Sequence, residues 1–197
     1  DLLMQEDTIE ALAQSGAETV WVGAESGSQK ILDAMDKGTT IEEIKKATKL
    51  LKKNNIRVAF FLQFGYPGET KADINKTLEM VLDLMPDEIG ISVSYPLPGT
   101  NFYENVKDQL KEKSNWTDSD ELALMFRSTF HPAYYKKLHR YVHKVYKKKV
   151  GLTSIKNILL NPFAINFKKL RSALLTFYYI PSSLLDSIYL KRLEKAE

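Results

Sequence analysis

Glu25 and Lys37, twelve residues apart, are the first charged side chains in this sequence whose placement suggests chemistry. Glu25 stands just past the apolar run Thr19-Val20-Trp21-Val22. A carboxylate there is costly to bury without a partner, so it must face a polar mouth or find a donor. The competing reading is a capping or solvated glutamate. Ser26, Gly27 and Ser28 then supply a turn and the first free N–H groups of a short helix, a geometry that favours an anion near the helix start. Serine is also among the best capping residues, and Ser28 is expected to be an ordinary cap. Lys37 ends that helix, expected over Gln29 to Asp36 with Gly38 as its C-cap. Eight helical residues rise about 12 Å, so Lys37 reaches the neighbourhood of Glu25 only if this helix lies across the mouth of a sheet. A cation stabilised at a helix C-terminus is the alternative.

Such residues need strand ends to stand on. Three apolar β-type runs, Thr19 to Val22, Val58 to Leu62 and Ile89 to Val93, are followed by Gly23-Ala24-Glu25-Ser26-Gly27-Ser28, Gly65-Tyr66-Pro67-Gly68-Glu69-Thr70 and Pro96-Leu97-Pro98-Gly99-Thr100. The runs are too apolar for one wet face, as expected of a parallel sheet covered by helices. Sites in such folds form where the strands end. Thr40 with Glu43 reads as a capping box opening a helix whose Ile41, Ile44, Ala47, Thr48 and Leu51 share a face, and Asn54-Asn55 ends it. Thr70 with Asp73 offers a similar start to a helix striped by Ile74, Leu78, Val81, Leu82 and Met85 and stopped by Pro86. Right-handed βα crossovers then give an α/β unit. A partial barrel and an open doubly wound sheet both fit that pattern.

Gly23 to Ser28, Ile31-Leu32-Asp33-Ala34-Met35-Asp36-Lys37, Phe64 to Thr70 and Pro98-Gly99-Thr100, in this order, resemble the later half of the catalytic barrel of radical S-adenosylmethionine (SAM) enzymes. Within that family the segments are most similar to the cobalamin-binding subfamily related to the anaerobic magnesium-protoporphyrin monomethyl ester cyclase. The resemblance runs to about Tyr103. It implies the later half of a partial β/α, TIM-like barrel, S-adenosylmethionine and a 4Fe–4S cluster as cofactors, and cobalamin as a further one. It also implies radical chemistry, whether methylation, cyclisation or rearrangement, on an unactivated carbon of a small-molecule substrate.

The resemblance assigns cofactor-binding roles residue by residue. Glu25 becomes an anionic acceptor for ribose hydroxyls or the methionyl ammonium, with Ser26 beside it, and Lys37 pairs with the cofactor's carboxylate. Leu62 and Phe64 lie along the adenine through their main chain, with Gly65 permitting the cofactor's close approach, and Gln63 reaches ribose or substrate. Glu69 braces the following helix, and Tyr95 with the Pro96 to Thr100 loop closes the barrel. One departure stands out: the family's Cys-x3-Cys-x2-Cys motif is absent, and the chain has no cysteine at all. A 4Fe–4S cluster needs thiolates. The cluster ligands, like the cobalamin site, are therefore expected outside this chain, which reads as the carboxy-terminal piece of a longer enzyme, inactive by itself and partnered by upstream domains of the same polypeptide.

Charge divides the chain. Residues 1–126 carry thirteen basic and twenty-two acidic side chains, whereas 127–171 carry twelve basic and none acidic. This places a boundary between a barrel segment, 1–126, and a basic, aromatic-rich helical extension, 127–197. From Pro132 to Lys149, Tyr135, Leu138, Val142, Val145 and Tyr146 recur at helical spacing. Leu174, Phe177, Tyr178, Leu184, Leu185, Ile188 and Leu193 read as core or interface. His139 and His143, four apart, read as packing or surface residues before metal ligands. The basic stretch admits a solvated face, contact with the acidic half or upstream domains, or peripheral contact with anionic lipid through Phe163, Ile165 and Phe167 beside Lys168 and Lys169. Nucleic acid is disfavoured for lack of a binding motif. Apolar runs fall short of the roughly 20 residues that span a bilayer, and cytoplasmic residence is the expectation. Two other functions stay open: a phosphate-binding β/α enzyme using Ser26 to Ser28, and an interaction module acting through the basic helices.

Overall fold

The computed structural model describes residues 5–110 and 124–195. The chain divides into two compact units, Asp1–Thr129 and Phe130–Glu197.

In the first unit, α1 (Glu6–Gln14) precedes β1 (Thr19–Glu25), followed by α2 (Gln29–Ala34), α3 (Ile41–Lys53), β2 (Arg57–Phe64), α4 (Lys71–Leu84), β3 (Glu88–Val93) and α5 (Asn101–Val106). The strands pair in parallel in the order β1-β2-β3. Each crossover moves one strand in the same direction, so with right-handed connections α3 and α4 fall on one face of the sheet. A doubly wound sheet would require the strand order to reverse. The topology is that of a βα barrel segment.

Both capping boxes form, Thr40 with Glu43 and Thr70 with Asp73. Asn55, at φ 58, turns the chain out of α3, and the Ile56 N–H returns to the Leu51 carbonyl. The buried face of α4 is turned from the expected stripe: Asp73, Ile74, Thr77, Met80 and Val81 are buried, while Leu78, Leu82 and Met85 are half-buried. The reason lies across the sheet, where the loop after β1 brings polar partners to Asp73 and Thr77.

The sheet itself corrects the expectation of two covered faces. Val58, Phe60, Leu62 and Phe64 are buried on one side. On the other, Trp21 and Phe61 are 44% and 51% exposed, stacked with ring centroids 4.4 Å apart. A Cβ on Gly90 would press against both rings. The open face is lined by aromatic and glycine residues rather than charges, which is why the alternation is invisible in hydropathy.

The second unit is a helical hairpin of α6 (Pro132–Leu160) and α7 (Phe167–Leu193). Helix α6 runs well past the expected end at Lys149, and Tyr135, Leu138, Val142, Val145 and Tyr146 are buried as read. For α7, read as core or interface, the core alternative is overturned and Leu193 is half-buried. Leu174, Phe177, Tyr178, Leu184, Leu185 and Ile188 are exposed, and Ala173, Thr176, Ser183, Asp186 and Leu190 are buried in their place. Close approach explains it: a Cβ on Gly151 would collide with Thr176 Oγ1 and the Ser172 carbonyl. Helix α7 meets α6 largely through small residues, and most of its bulky ones face outward. Burial, with His139 and Lys147 nearby, pushes the His143 imidazole down to about 4. Among the described residues no three metal-binding side chains cluster, and no helix is long and apolar enough to cross a membrane.

Candidate functional site

Glu25 ends β1 in a strained turn. Pairing with β2 slips between Gly23 and Glu25, Glu25 sits at φ 50, and the Ser26 N–H bonds the Ala24 carbonyl at 2.6 Å. A tight three-residue turn centred on a non-glycine at positive φ is unfavourable and marks a position held for a purpose. The turn aims the Glu25 carboxylate at Lys37, whose Nζ lies 2.8 Å from Oε1.

Lys37 gets there by an early helix stop. Helix α2 ends at Ala34, short of the expected Asp36, and Asp36 rather than Gly38 takes the left-handed C-terminal position, at φ 52. The Asp36 and Lys37 N–H groups bond the Asp33 and Leu32 carbonyls, which closes a Schellman motif and folds Lys37 back over the strand end. The Tyr66 hydroxyl donates to the Ala34 carbonyl at 2.6 Å, tying this turn to the loop after β2. Gly23 completes the arrangement. A Cβ there would stand 2.9 Å from Glu25 Oε1 and 3.1 Å from Lys37 Nζ. Sequence reasoning missed Gly23, whose only signal was a glycine inside an apolar strand.

The loop that follows serves as scaffold. Ser26 is fully buried, its Oγ 3.2 Å from Thr77 Oγ1 and accepting the Ser28 N–H. Gly27 donates to Thr77 Oγ1, and a Cβ there would collide with the α4 backbone. The Ser28 side chain makes no cap bond and donates instead to Asp73 Oδ1 at 2.6 Å. The Ser26 side chain, expected beside the cofactor, is instead turned inward behind Glu25, and Ser28 is a tether rather than a cap. The six-residue α2 offers no anion site of its own. Burial alone would raise the Asp73 carboxyl. The Ser28 and Thr70 hydroxyls, the Thr70 N–H and nearby Lys30 instead bring it down to about 2.

At β2, Leu62 and Phe64 bury their side chains on the helix-covered face. Pairing with β1 stops at Leu62 while pairing with β3 continues to Phe64. Gln63 is half-buried on the open face, its Oε1 accepting a 3.4 Å bond from Ser94. The Gly65 N–H is taken by Glu69 Oε2 at 2.7 Å, and its carbonyl accepts from Ser128. Glu69 is fully buried. Burial pushes its carboxyl up to about 8, opposed by the Gly65 N–H and reinforced by Asp73. Its side chain braces the turn before it, where bracing of the following helix was expected. Thr100 caps α5 through the Tyr103 N–H.

The strand-end carboxylate and lysine thus stand together at the carboxyl end of a parallel βα segment, and residues 1–81 match the family model described as the radical SAM superfamily. That segment is a radical SAM superfamily match. Its relatives include an anaerobic magnesium-protoporphyrin IX monomethyl ester cyclase of Rubrivivax gelatinosus, 30% identical over 56% of this chain and 20% of the cyclase. They also include a tRNA-2-methylthio-N(6)-dimethylallyladenosine synthase of Cellvibrio japonicus, 38% identical over 39% of this chain and 17% of that enzyme. Among solved structures, the archaeal Methanocaldococcus infernus Elp3 with an N-terminal deletion aligns with a TM-score of 0.48 and 31% identity, over 51% of this chain and 24% of that one. The chain thus spans a fifth or less of the length of the two curated relatives.

Proposed function

We propose that this chain is the S-adenosylmethionine-binding half of a radical SAM enzyme acting on an unactivated carbon of a small-molecule substrate. The observation that carries the reading is the Glu25–Lys37 pair, held at 2.8 Å by a strained turn and a Schellman motif over Gly23. The methionyl end of S-adenosylmethionine carries one ammonium and one carboxylate. Glu25 accepts from the first and Lys37 donates to the second, so binding exchanges one charge-assisted contact for two. The main chain of Leu62 and Phe64 lies beside the adenine and Gln63 faces the ribose or substrate. When bound, the cofactor supplies the radical that attacks substrate.

The cluster does not fit this chain, because it offers no thiolate. Its ligands, and any cobalamin site, belong to upstream domains in this reading. Cobalamin use and a reaction of the cyclisation or methyl-transfer type are supported by the sequence resemblance to the cyclase.

Calorimetric titration of S-adenosylmethionine into the intact enzyme tests the assignment. Glu25→Gln and Lys37→Ala should each weaken binding by about 1 to 3 kcal/mol, the range for a charge-assisted hydrogen bond, with little change in melting temperature. Unchanged affinity with a large drop in melting temperature would assign both residues to holding the turn.

A further inference from the structure

In the second unit, the hairpin turn and α7 carry most of their bulky apolar side chains outside. Around the turn of the hairpin, Phe163 is 100% and Phe167 82% exposed, with Leu159 and Leu160 nearly as open. Along α7 the exposure continues through Leu170, Leu174, Phe177, Leu184 and Ile188. Neighbouring Tyr178 and Leu185 are exposed too, so the apolar face is wider than a coiled-coil seam, and Pro181 interrupts it.

The cations sit at the same end. Lys147, Lys168 and Arg171, with Ser172, Tyr179 and Phe167, line an open groove of about 300 Å³ between α6 and α7. Lys168, Lys169 and Arg171 also crowd the positive end of the α7 dipole, where the first turn holds no acid. An anion in the groove relieves both repulsions. No acidic residue occurs between Glu121 and Asp186, and Asp186 is already paired with Lys137 and Lys144.

From this juxtaposition we infer that the hairpin turn and the outer face of α7 are a peripheral anchor for a membrane surface rich in anionic phospholipid. The apolar face sinks to the headgroup boundary and the groove receives a lipid phosphate. Charge selects this occupant over a second copy, since two such hairpins would set like charges against each other. The inference stands independently of the cofactor reading.

The test uses the full chain with phosphatidylcholine vesicles, with and without phosphatidylglycerol. Because the chain has no cysteine, Leu160→Cys accepts a single environment-sensitive dye at the turn. Expected are cosedimentation and a blue-shifted dye only on the anionic vesicles, with partitioning about tenfold weaker for each of Phe163→Ser and Phe167→Ser. Both phenylalanines are so exposed that these changes leave folding intact, which circular dichroism checks. Any of three results would overturn the inference: no retention on anionic vesicles at low salt, retention indifferent to both substitutions, or dye burial without lipid through self-association. Competition by transfer RNA that abolishes retention while the dye stays in water would do the same.

Discussion

The Ser28 hydroxyl donates a 2.6 Å hydrogen bond to Asp73 Oδ1, joining the loop after β1 to the first turn of α4. The other carboxylate oxygen of Asp73 accepts from the Thr70 N–H and hydroxyl. One buried residue thus caps a helix and fixes the loop that begins at Glu25. Asp73→Ala should cost roughly 2 to 4 kcal/mol, a lost cap plus an unsatisfied buried hydroxyl, and Ser28→Ala about 1 kcal/mol more than a surface change. Urea denaturation followed by tryptophan fluorescence measures both. Equal, negligible effects would mean that the tether bears no load.

Gly23→Ala separates geometry from charge. The added methyl would stand 2.9 Å from Glu25 Oε1, so the pair must move although both its members remain. We expect S-adenosylmethionine affinity of the intact enzyme to fall by tenfold or so, about 1.4 kcal/mol, with a smaller loss of stability. Retained affinity would show that the cofactor does not need the pair in this position.

Glu69 makes stability depend on pH in a direction opposite to most carboxylates. Its carboxyl rises from 4.5 to about 8 on folding, so between those values the folded state holds a proton that the unfolded state has lost. Its contribution is complete below pH 4.5, declines as pH rises, and is gone above about 8. Glu69→Gln should flatten that slope while keeping an oxygen for the Gly65 N–H. Denaturation midpoints at several pH values decide it, and parallel wild-type and variant curves would refute a protonated Glu69.

The chain's lack of cysteine makes a simple reconstitution informative. Given iron and sulfide anaerobically, this chain should develop no stoichiometric cluster absorbance and no reducible paramagnetic signal. A cluster assembled on it would overturn the placement of the ligands in upstream domains.

In the hairpin, Asp186 is buried between Lys137, at 3.1 Å, and Lys144, at 2.7 Å. Burial would raise its carboxyl, but hydrogen bonds from Lys144 and Lys137 hold it below its ordinary value. Asp186→Ala leaves two half-sheltered ammonium groups facing each other and should destabilise the hairpin by about 2 kcal/mol, less than for fully buried pairs because both lysines keep some solvent. Thermal melting by circular dichroism reads the change, and recovery in Asp186→Glu separates charge from packing.

Local chemistry was legible in the sequence. Thr40–Glu43 and Thr70–Asp73 are boxes closed within one turn, Asn54-Asn55 stops a helix by its own backbone preference, and the apolar runs order the strands. Such features depend on neighbours in the chain, so type and spacing determine them. The family was readable for the same reason, from short segments at strand ends.

Tertiary structure decided what the side chains at those positions face. Ser26, read as a ligand contact, turns inward because Thr77 approaches from α4. Lys37 reaches Glu25 because the helix closes its left-handed stop already at Asp36, two residues before Gly38, and because Gly23 leaves room for the pair. Phe177 and Leu184 point outward because Gly151 lets α6 and α7 meet through small residues. Each outcome rests on a close approach between segments distant in the chain, and helical or strand periodicity carries no record of which neighbour comes near.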